Sequence, residues 1–212
     1  MTSGRISCKS VRQPITCVAL EMTTVCDRAC PDCCANINRG ERDAVHHPWE
    51  YFEDAARLLY GIHRIHLTGG EPTTHPRFAE FVPRFRQLFG CTLLTLQTDC
   101  FKTVQYHETL KHFDHIYPSR YDSRNAKAVE LVMISYKSTE WSGEFTPRSR
   151  RGSGAVCFRG LSDTVAYADG KLHGCCVSPG IPGAATLEPC ADWRDKIAGL
   201  ALPCGDCFFS PD

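Results

Sequence analysis

Between Ile15 and Thr98 the sequence runs strand, helix, strand, helix, strand, and this order limits the available folds more than any other feature of the chain. "ITCVALEM" (15–22) has the apolar and small residues of a buried strand. "HPWEYFEDAARLLYGI" has Pro48 near its start, acidic residues early, and Phe52, Ala55, Ala56 and Leu59 at helical spacing, which predicts a helix from about 48 to 60. "RIHLTGGEP" reads as a short strand ending in a double glycine, and "RFAEFVPRFRQLFG" as a helix closed by Gly90 and kinked at Pro83. "CTLLTLQT" is a third strand. Strands that alternate with helices are joined by crossovers and therefore pair in parallel.

Beyond Thr98 the helical spacing over 101–113 is loose, and "DHIYPS" and "VELVMISY" read as two further strands. The stretch between them, "RYDSRNAKA", is too short for a full crossover helix. Five or six such units predict an α/β fold of the partial (β/α) TIM-like barrel kind. Ligands of such sheets sit at the C-terminal ends of the strands, where both "TGGEP" and a run of cysteines leave the sheet. After about residue 138 a polar connection rich in Gly and Arg, "STEWSGEFTPRSRRGSG", leads to "TVAYADGKLHGCC", two alternating runs joined by Asp169-Gly170 in a hairpin pattern. A last short helix is expected in "ADWRDKIAGL", ahead of "CGDC". The expected division is 1–150 for the barrel and 151–212 for a small C-terminal β-hairpin and helix domain.

The chain has 14 cysteines in 212 residues. Its start lacks a charged segment followed by an apolar h-region, and no apolar run approaches the roughly 18 residues of a membrane span, so a cytoplasmic, non-membrane protein is expected. Thiols in a reducing compartment are seldom disulfides, which directs these cysteines to metal or cluster ligation. With 24 basic and 24 acidic side chains the formal net charge is zero, without the basic excess of a nucleic-acid binder. Only a local cluster, "TPRSRRGSG", offers a small phosphate-facing patch.

In "EMTTVCDRACPDCC", Cys26, Cys30 and Cys33 form CX3CX2C on the loop that leaves the first strand. Three thiolates on one loop can hold three irons of a [4Fe-4S] cube and leave the fourth open, whereas structural zinc fills all four positions. Cys34 competes with Cys33 for the third place, and the spacing favours Cys33. After the second strand, Gly69 and Gly70 offer backbone that a ligand can approach closely, with the Glu71 carboxylate beside it.

Together, CX3CX2C after strand one and GGEP after strand two resemble the radical S-adenosylmethionine superfamily, over about residues 15–136. The resemblance includes the approach "ExT" at Glu21 to Thr23. It implies a [4Fe-4S] cluster on Cys26, Cys30 and Cys33 whose open iron chelates S-adenosylmethionine, reductive cleavage to a 5'-deoxyadenosyl radical, and an electron donor such as flavodoxin or ferredoxin. It places Gly69, Gly70 and Glu71 at the methionine amino group. "LQTDC" resembles the family's QTNG and "SRYD", with Ser119 and Asp122, its SLDG, which makes Gln97, Thr98 and Ser119 cofactor-binding candidates. Asp99 and Cys100 depart from the Asn and Gly of that pattern, and Asp32 stands where an aromatic residue is expected near the adenine.

A second pattern lies toward the C-terminus. Cys157, twelve residues, Gly170, four residues and Cys175, then Cys204 and Cys207 in "CGDC", resemble the twitch domain, the shortened form of the SPASM domain. That resemblance implies an auxiliary [4Fe-4S] cluster with four Cys ligands, suited to electron transfer. Zinc on the same four cysteines is the alternative, and Cys176 and Cys190 compete for a ligand place. The spacing resembles the 2-deoxy-scyllo-inosamine dehydrogenase type, which implies an oxidoreductase acting by two-electron oxidation of a small molecule. Redox-neutral rearrangement of a small molecule or nucleotide, modification of a peptide, and a non-catalytic metal-binding module remain as other readings. At 212 residues a separate peptide-leader domain is not expected, which counts against the peptide reading without removing it. His46, His47, His63, His66 and His75 read as surface or satisfied core residues. Arg148, Arg150 and Arg151 read as a solvated loop or a contact to an anion, and Tyr121, Tyr136 and Trp141 as packing or pocket residues. No proton acceptor stands out.

Overall fold

A computed structural model describes residues 15–28, 33, 42–119, 123–138, 164–174, 179 and 183–200. Its core is a seven-stranded sheet in the order β4-β3-β2-β1-β5-β6-β7. The strands are β1 Cys17–Thr23, β2 Arg64–Gly69, β3 Leu93–Thr98, β4 His115–Pro118, β5 Thr164–Ala168, β6 Lys171–His173 and β7 Thr186–Leu187. β1 to β4 and the β1–β5 pair are parallel, and β5, β6 and β7 continue antiparallel. From β1 to β4 each new strand joins the same edge, without the reversal of a doubly wound sheet. Right-handed crossovers in one direction place their helices on one face, as in a (β/α) barrel.

The two faces differ accordingly. On the helix side Leu20, Leu67, Leu96 and Ile116 lie in register across four strands, all fully buried. They meet Phe52 and Leu59 of α1 (Trp49–Leu59) and Phe78, Phe81, Phe85 and Phe89 of α2 (Phe78–Phe89) in a single core. Each such side chain contributes about 1.5–3 kcal/mol of burial free energy. On the opposite face Ala166, Ala19, His66, Thr95 and His115 form one row, and Glu21 faces Thr68 and Gln97 faces Tyr117 one step nearer the C-terminal ends. β2 alternates between buried and half-buried residues, as expected of a sheet with helices on one side only.

The first two helices follow the local signals. α1 starts after Pro48, and α2 continues through Pro83 to Gly90, whose φ of +57° provides the left-handed helix end. The loose helical spacing after residue 101 becomes a 3-10 turn, Thr103–Tyr106, and the one-turn helix α3, His107–Leu110.

The expected strand "VELVMISY" is a correction: it lies in helix α4, Ser123–Ser135, which also takes up the segment judged too short for a crossover. The apolar run had two readings. Alternation through Val129, Leu131 and Met133 favours a strand, but the buried residues are Asn125, Val129 and Val132, at helical spacing. Leu131, Met133 and Ile134 are left exposed. Buried Asn125 donates to the carbonyls of Asp99 and Ser119, both at 2.7 Å, and ties the first turn of α4 to the ends of β3 and β4.

The hairpin through Asp169 (φ +52°) and Gly170 (φ +74°) forms as expected, and β5 continues the barrel sheet beside β1. The last short helix is α5, Trp193–Ala198; buried Trp193 donates its indole N–H to the carbonyl of Leu58. The boundary near residue 150 lies outside the described residues.

Candidate cluster and cofactor site

Hydrogen bonds from both sides hold the exit of β1. From the β2 turn, the N–H of Gly70 donates to the carbonyl of Thr23 (2.7 Å) and that of Glu71 to Val25 (2.9 Å), while the Thr74 hydroxyl also donates to Val25. From the returning chain, Thr24 exchanges backbone and hydroxyl bonds with Val45, and the Thr23 hydroxyl meets the Val45 carbonyl and His46 Nδ1. This is where the double glycine is required. A Cβ on Gly69 would lie 2.2 Å from the Thr23 oxygen and one on Gly70 2.1 Å from the Val25 oxygen. The close approach is made by the loop that presents Cys26.

Glu71 does not project into open space. Its Oε1 accepts from the backbone and hydroxyl of Thr73 and the hydroxyl of Thr98, and its Oε2 accepts from the backbone N–H of Asp99. The carboxylate therefore joins the ends of β2 and β3. Ser119 extends the row: its N–H donates to the Thr98 carbonyl, and its hydroxyl accepts from Gln97 Nε2 at 3.4 Å. The structure thus brings Gly69, Gly70, Glu71, Gln97, Thr98 and Ser119 together at one end of the sheet.

Asp99, where the family pattern has Asn, takes a role that the sequence did not reveal. Its carboxylate accepts from Arg28 Nε at 3.0 Å and from the N–H of Phe101, and the Arg28 guanidinium lies over the Phe101 ring. A residue of the cysteine loop is thereby tied to the end of β3 by a buried ion pair. Cys100, in the position of the family's Gly, has a φ of +69° and is fully buried. A second ion pair binds the far limb of the loop. Arg42 donates to both oxygens of buried Glu21, at 2.6 and 2.7 Å, and to Asp169 in the β5–β6 turn, while His47 meets Glu21 at 3.1 Å. The sequence offers no signal for either pair, since the partners are far apart along the chain.

Burial pushes the Cys26 thiol up to about 12; the backbone of Arg28 opposes this and the negative charges of Glu71, Asp27 and Asp99 add to it. An isolated thiolate is therefore disfavoured here. Burial raises Glu71 above the ordinary carboxylate range, with Asp99 adding to the effect, and Asp99 is raised likewise.

Among the candidate ligands, Cys26 and Cys33 are half-buried free thiols on the expected loop. Cys30, Cys34, Cys157, Cys175, Cys176, Cys204 and Cys207 lie outside the described residues, as do Asp32, Tyr121, Asp122, Trp141, Arg148, Arg150 and Arg151. Cys190 is a half-buried free thiol against the core. Among the described residues no three His, Cys, Asp or Glu come together as a metal site. His75 is buried and bonded to the carbonyl of His47, His63 is exposed, and Tyr136 is bonded to His107.

Residues 20–118 match the model of the Radical SAM superfamily. This stretch is a radical SAM domain. The family implies a [4Fe-4S] cluster and S-adenosylmethionine, and the free, half-buried thiols of Cys26 and Cys33 on the strand-exit loop are donors of the kind that fit that group. Among solved structures the chain is similar to BtrN in complex with AdoMet and 2-DOIA, with a TM-score of 0.51 and 12% identity over 88% of this chain and 77% of that one. At that identity the likeness shows the fold. No curated protein matches the chain. No helix of the radical SAM domain, or of the other described residues, is long and apolar enough to cross a membrane.

Proposed function

We propose that the protein is a radical S-adenosylmethionine oxidoreductase that removes a hydrogen atom from a small molecule in a two-electron oxidation. The observation that supports it most is the presentation of Cys26 and Cys33 on the strand-exit loop, against a turn of Gly69, Gly70 and Glu71, in a stretch that matches the family. Cys26, Cys30 and Cys33 would hold the first cluster, and Cys157, Cys175, Cys204 and Cys207 an auxiliary one in a twitch domain. When bound, these groups would supply the radical chemistry, with an electron from a flavodoxin or ferredoxin, and an acceptor for the second electron of the oxidation.

The chain's own share is positional. Backbone bonds from Gly70 and Glu71 hold Val25, and so Cys26, against the end of β2. The Arg28–Asp99 and Arg42–Glu21 pairs fix the two limbs of the cysteine loop. With the Glu71 carboxylate satisfied by Thr73, Thr98 and Asp99, the cofactor's amino group would meet the turn mainly through backbone atoms. Oxidation fits a relative solved with AdoMet and 2-DOIA and the expected second cluster.

Anaerobic reconstitution followed by iron and sulfide analysis tests this reading. About eight irons are expected from two four-iron clusters, and Cys26→Ala or Cys33→Ala should abolish 5'-deoxyadenosine formation under dithionite while Cys34→Ala retains it. Replacing Cys204 and Cys207 should remove about four irons. Zinc without iron, or cleavage that survives loss of Cys26 and Cys33, would overturn the proposal.

A further inference from the structure

Holding the cysteine loop in place does not by itself call for a charge at residue 99. Arg28 stands two residues after Cys26, inside the CX3CX2C motif, and Asp99 follows β3 where the family pattern has a neutral Asn. Arg28 Nε donates to Asp99 Oδ2 at 3.0 Å, with the two side chains 7% and 3% exposed, and the guanidinium lies 4.5 Å from the centre of the Phe101 ring. Asp99 Oδ1 accepts from the Phe101 N–H, and the backbone N–H of Asp99 donates to Glu71 Oε2. The carboxylate is thereby fixed below the surface, against the loop that carries Cys26. An Asn side chain has nearly the same shape and also offers an acceptor oxygen, so what Asp99 adds to this position is a negative charge.

Besides burial, three carboxyls act against negative charge on the Cys26 sulfur, in the order Glu71, Asp27 and Asp99, and they are not equivalent. Asp27 is exposed, and water and salt screen it. Burial, with Asp99 adding, raises Glu71 to about 7, so this group is partly protonated near neutrality. Burial raises Asp99 to about 6; the Phe101 N–H and Arg28 oppose the rise and Asp27 adds to it. Asp99 is therefore the buried carboxyl of the three that keeps its charge at neutral pH and above. A fixed negative charge in a poorly polarisable surrounding opposes the arrival of an electron nearby. Charge and hydrogen bonding around the thiolate ligands are the means by which a protein sets the potential of an iron-sulfur cluster. The Arg28 guanidinium keeps the Asp99 charge in place and offsets part of it, so removal of the carboxylate alone leaves a cation behind and eases reduction on both counts.

We propose that Asp99 lowers the reduction potential of the cluster held by Cys26 and so restricts the protein to a strongly reducing one-electron donor. The proposal rests on the radical reading above for the presence of that cluster and adds what this chain does to it. The test is a potentiometric titration of the reconstituted full chain, followed by electron paramagnetic resonance without S-adenosylmethionine, at about pH 8, where Asp99 is ionised. The signal followed is the one that Cys26→Ala removes. Asp99→Asn should ease reduction about tenfold, an upward shift of about 59 mV for one electron. Asp99→Glu, which keeps the charge, should stay near the wild type. If Asp99→Asn retains too little iron to titrate, Asp99→Ser takes its place as the neutral variant, since the smaller side chain leaves room for a water beside Arg28. A neutral variant at or below the wild-type potential, or an equal rise in Asp99→Glu, would overturn the proposal while the cluster stands. A wild-type protein with no iron signal that depends on Cys26 would sink the radical reading, and this proposal with it.

Discussion

A Cβ placed on Gly70 would lie 2.1 Å from the carbonyl oxygen of Val25, so the double glycine after β2 is shaped around the loop that carries Cys26. That oxygen already accepts from Glu71 and Thr74 and cannot withdraw without breaking both bonds. Gly70→Ala should cost about 1–3 kcal/mol by overpacking, read as a melting temperature lower by about 2–4 °C per kcal/mol. It should also lower the iron retained at the first site. A variant that melts and loads iron like the wild type would show that the turn is not held as described.

The Arg42–Glu21 pair is buried and bidentate; removing Arg42 leaves the Glu21 carboxylate buried without its guanidinium, and removing Glu21 leaves Arg42 with the exposed Asp169 alone. Arg42→Ala or Glu21→Ala alone should cost about 3–5 kcal/mol. The double variant should cost clearly less than the sum, because neither charge is then left alone. Urea titrations of the four proteins measure this, and simple additivity would mean that the two side chains do not act together.

Cys100 combines full burial with a left-handed backbone, two properties that pull its substitutions in opposite directions. A residue with a Cβ pays about 1–2 kcal/mol there, which glycine avoids. Cys100→Gly relieves that cost and loses the packed thiol, while Cys100→Ala loses packing and keeps the strain. Thermal denaturation should rank Cys100→Gly above Cys100→Ala, and the reverse order would remove the role of the backbone.

Glu71 and Asp99 both hold protons more tightly in the folded protein than ordinary carboxyls do, chiefly through burial. The folded state therefore binds more protons than the unfolded state. Their contribution to stability is complete below about pH 4 and is lost as pH rises toward neutrality. In the cluster-free protein, denaturation at a series of pH values should show this decline, and Glu71→Gln should flatten it. The amide would turn a donor toward Thr98, Thr73 or the Asp99 N–H, at a cost of about 1–3 kcal/mol. An unchanged slope in the variant would place the titration elsewhere.

Local chemistry in the sequence was sufficient wherever a segment's fate depends on its own neighbours. The periodicity of Phe52, Ala55, Ala56 and Leu59, the helix end at Gly90 and the turn at Asp169-Gly170 produced α1, α2 and the β5–β6 hairpin where they were expected. The GGEP turn and Cys26 likewise lie where their motifs were expected, at the exits of β2 and β1. Tertiary structure decided the rest. The apolar run of α4 satisfies either period, and only the site that receives Asn125, Val129 and Val132 makes it a helix. The pairing of β5 with β1, the Glu71 carboxylate turned onto Thr98 and Asp99, and the Arg28–Asp99 bond across 71 residues depend on register and crossover. So does the row of His66, Thr95 and His115, three residues from three strands that share a face only because the parallel sheet aligns them. Side-chain period is a property of a segment and can be read along it, whereas the partner of a charge or a ring is set by which strands become neighbours and at what offset.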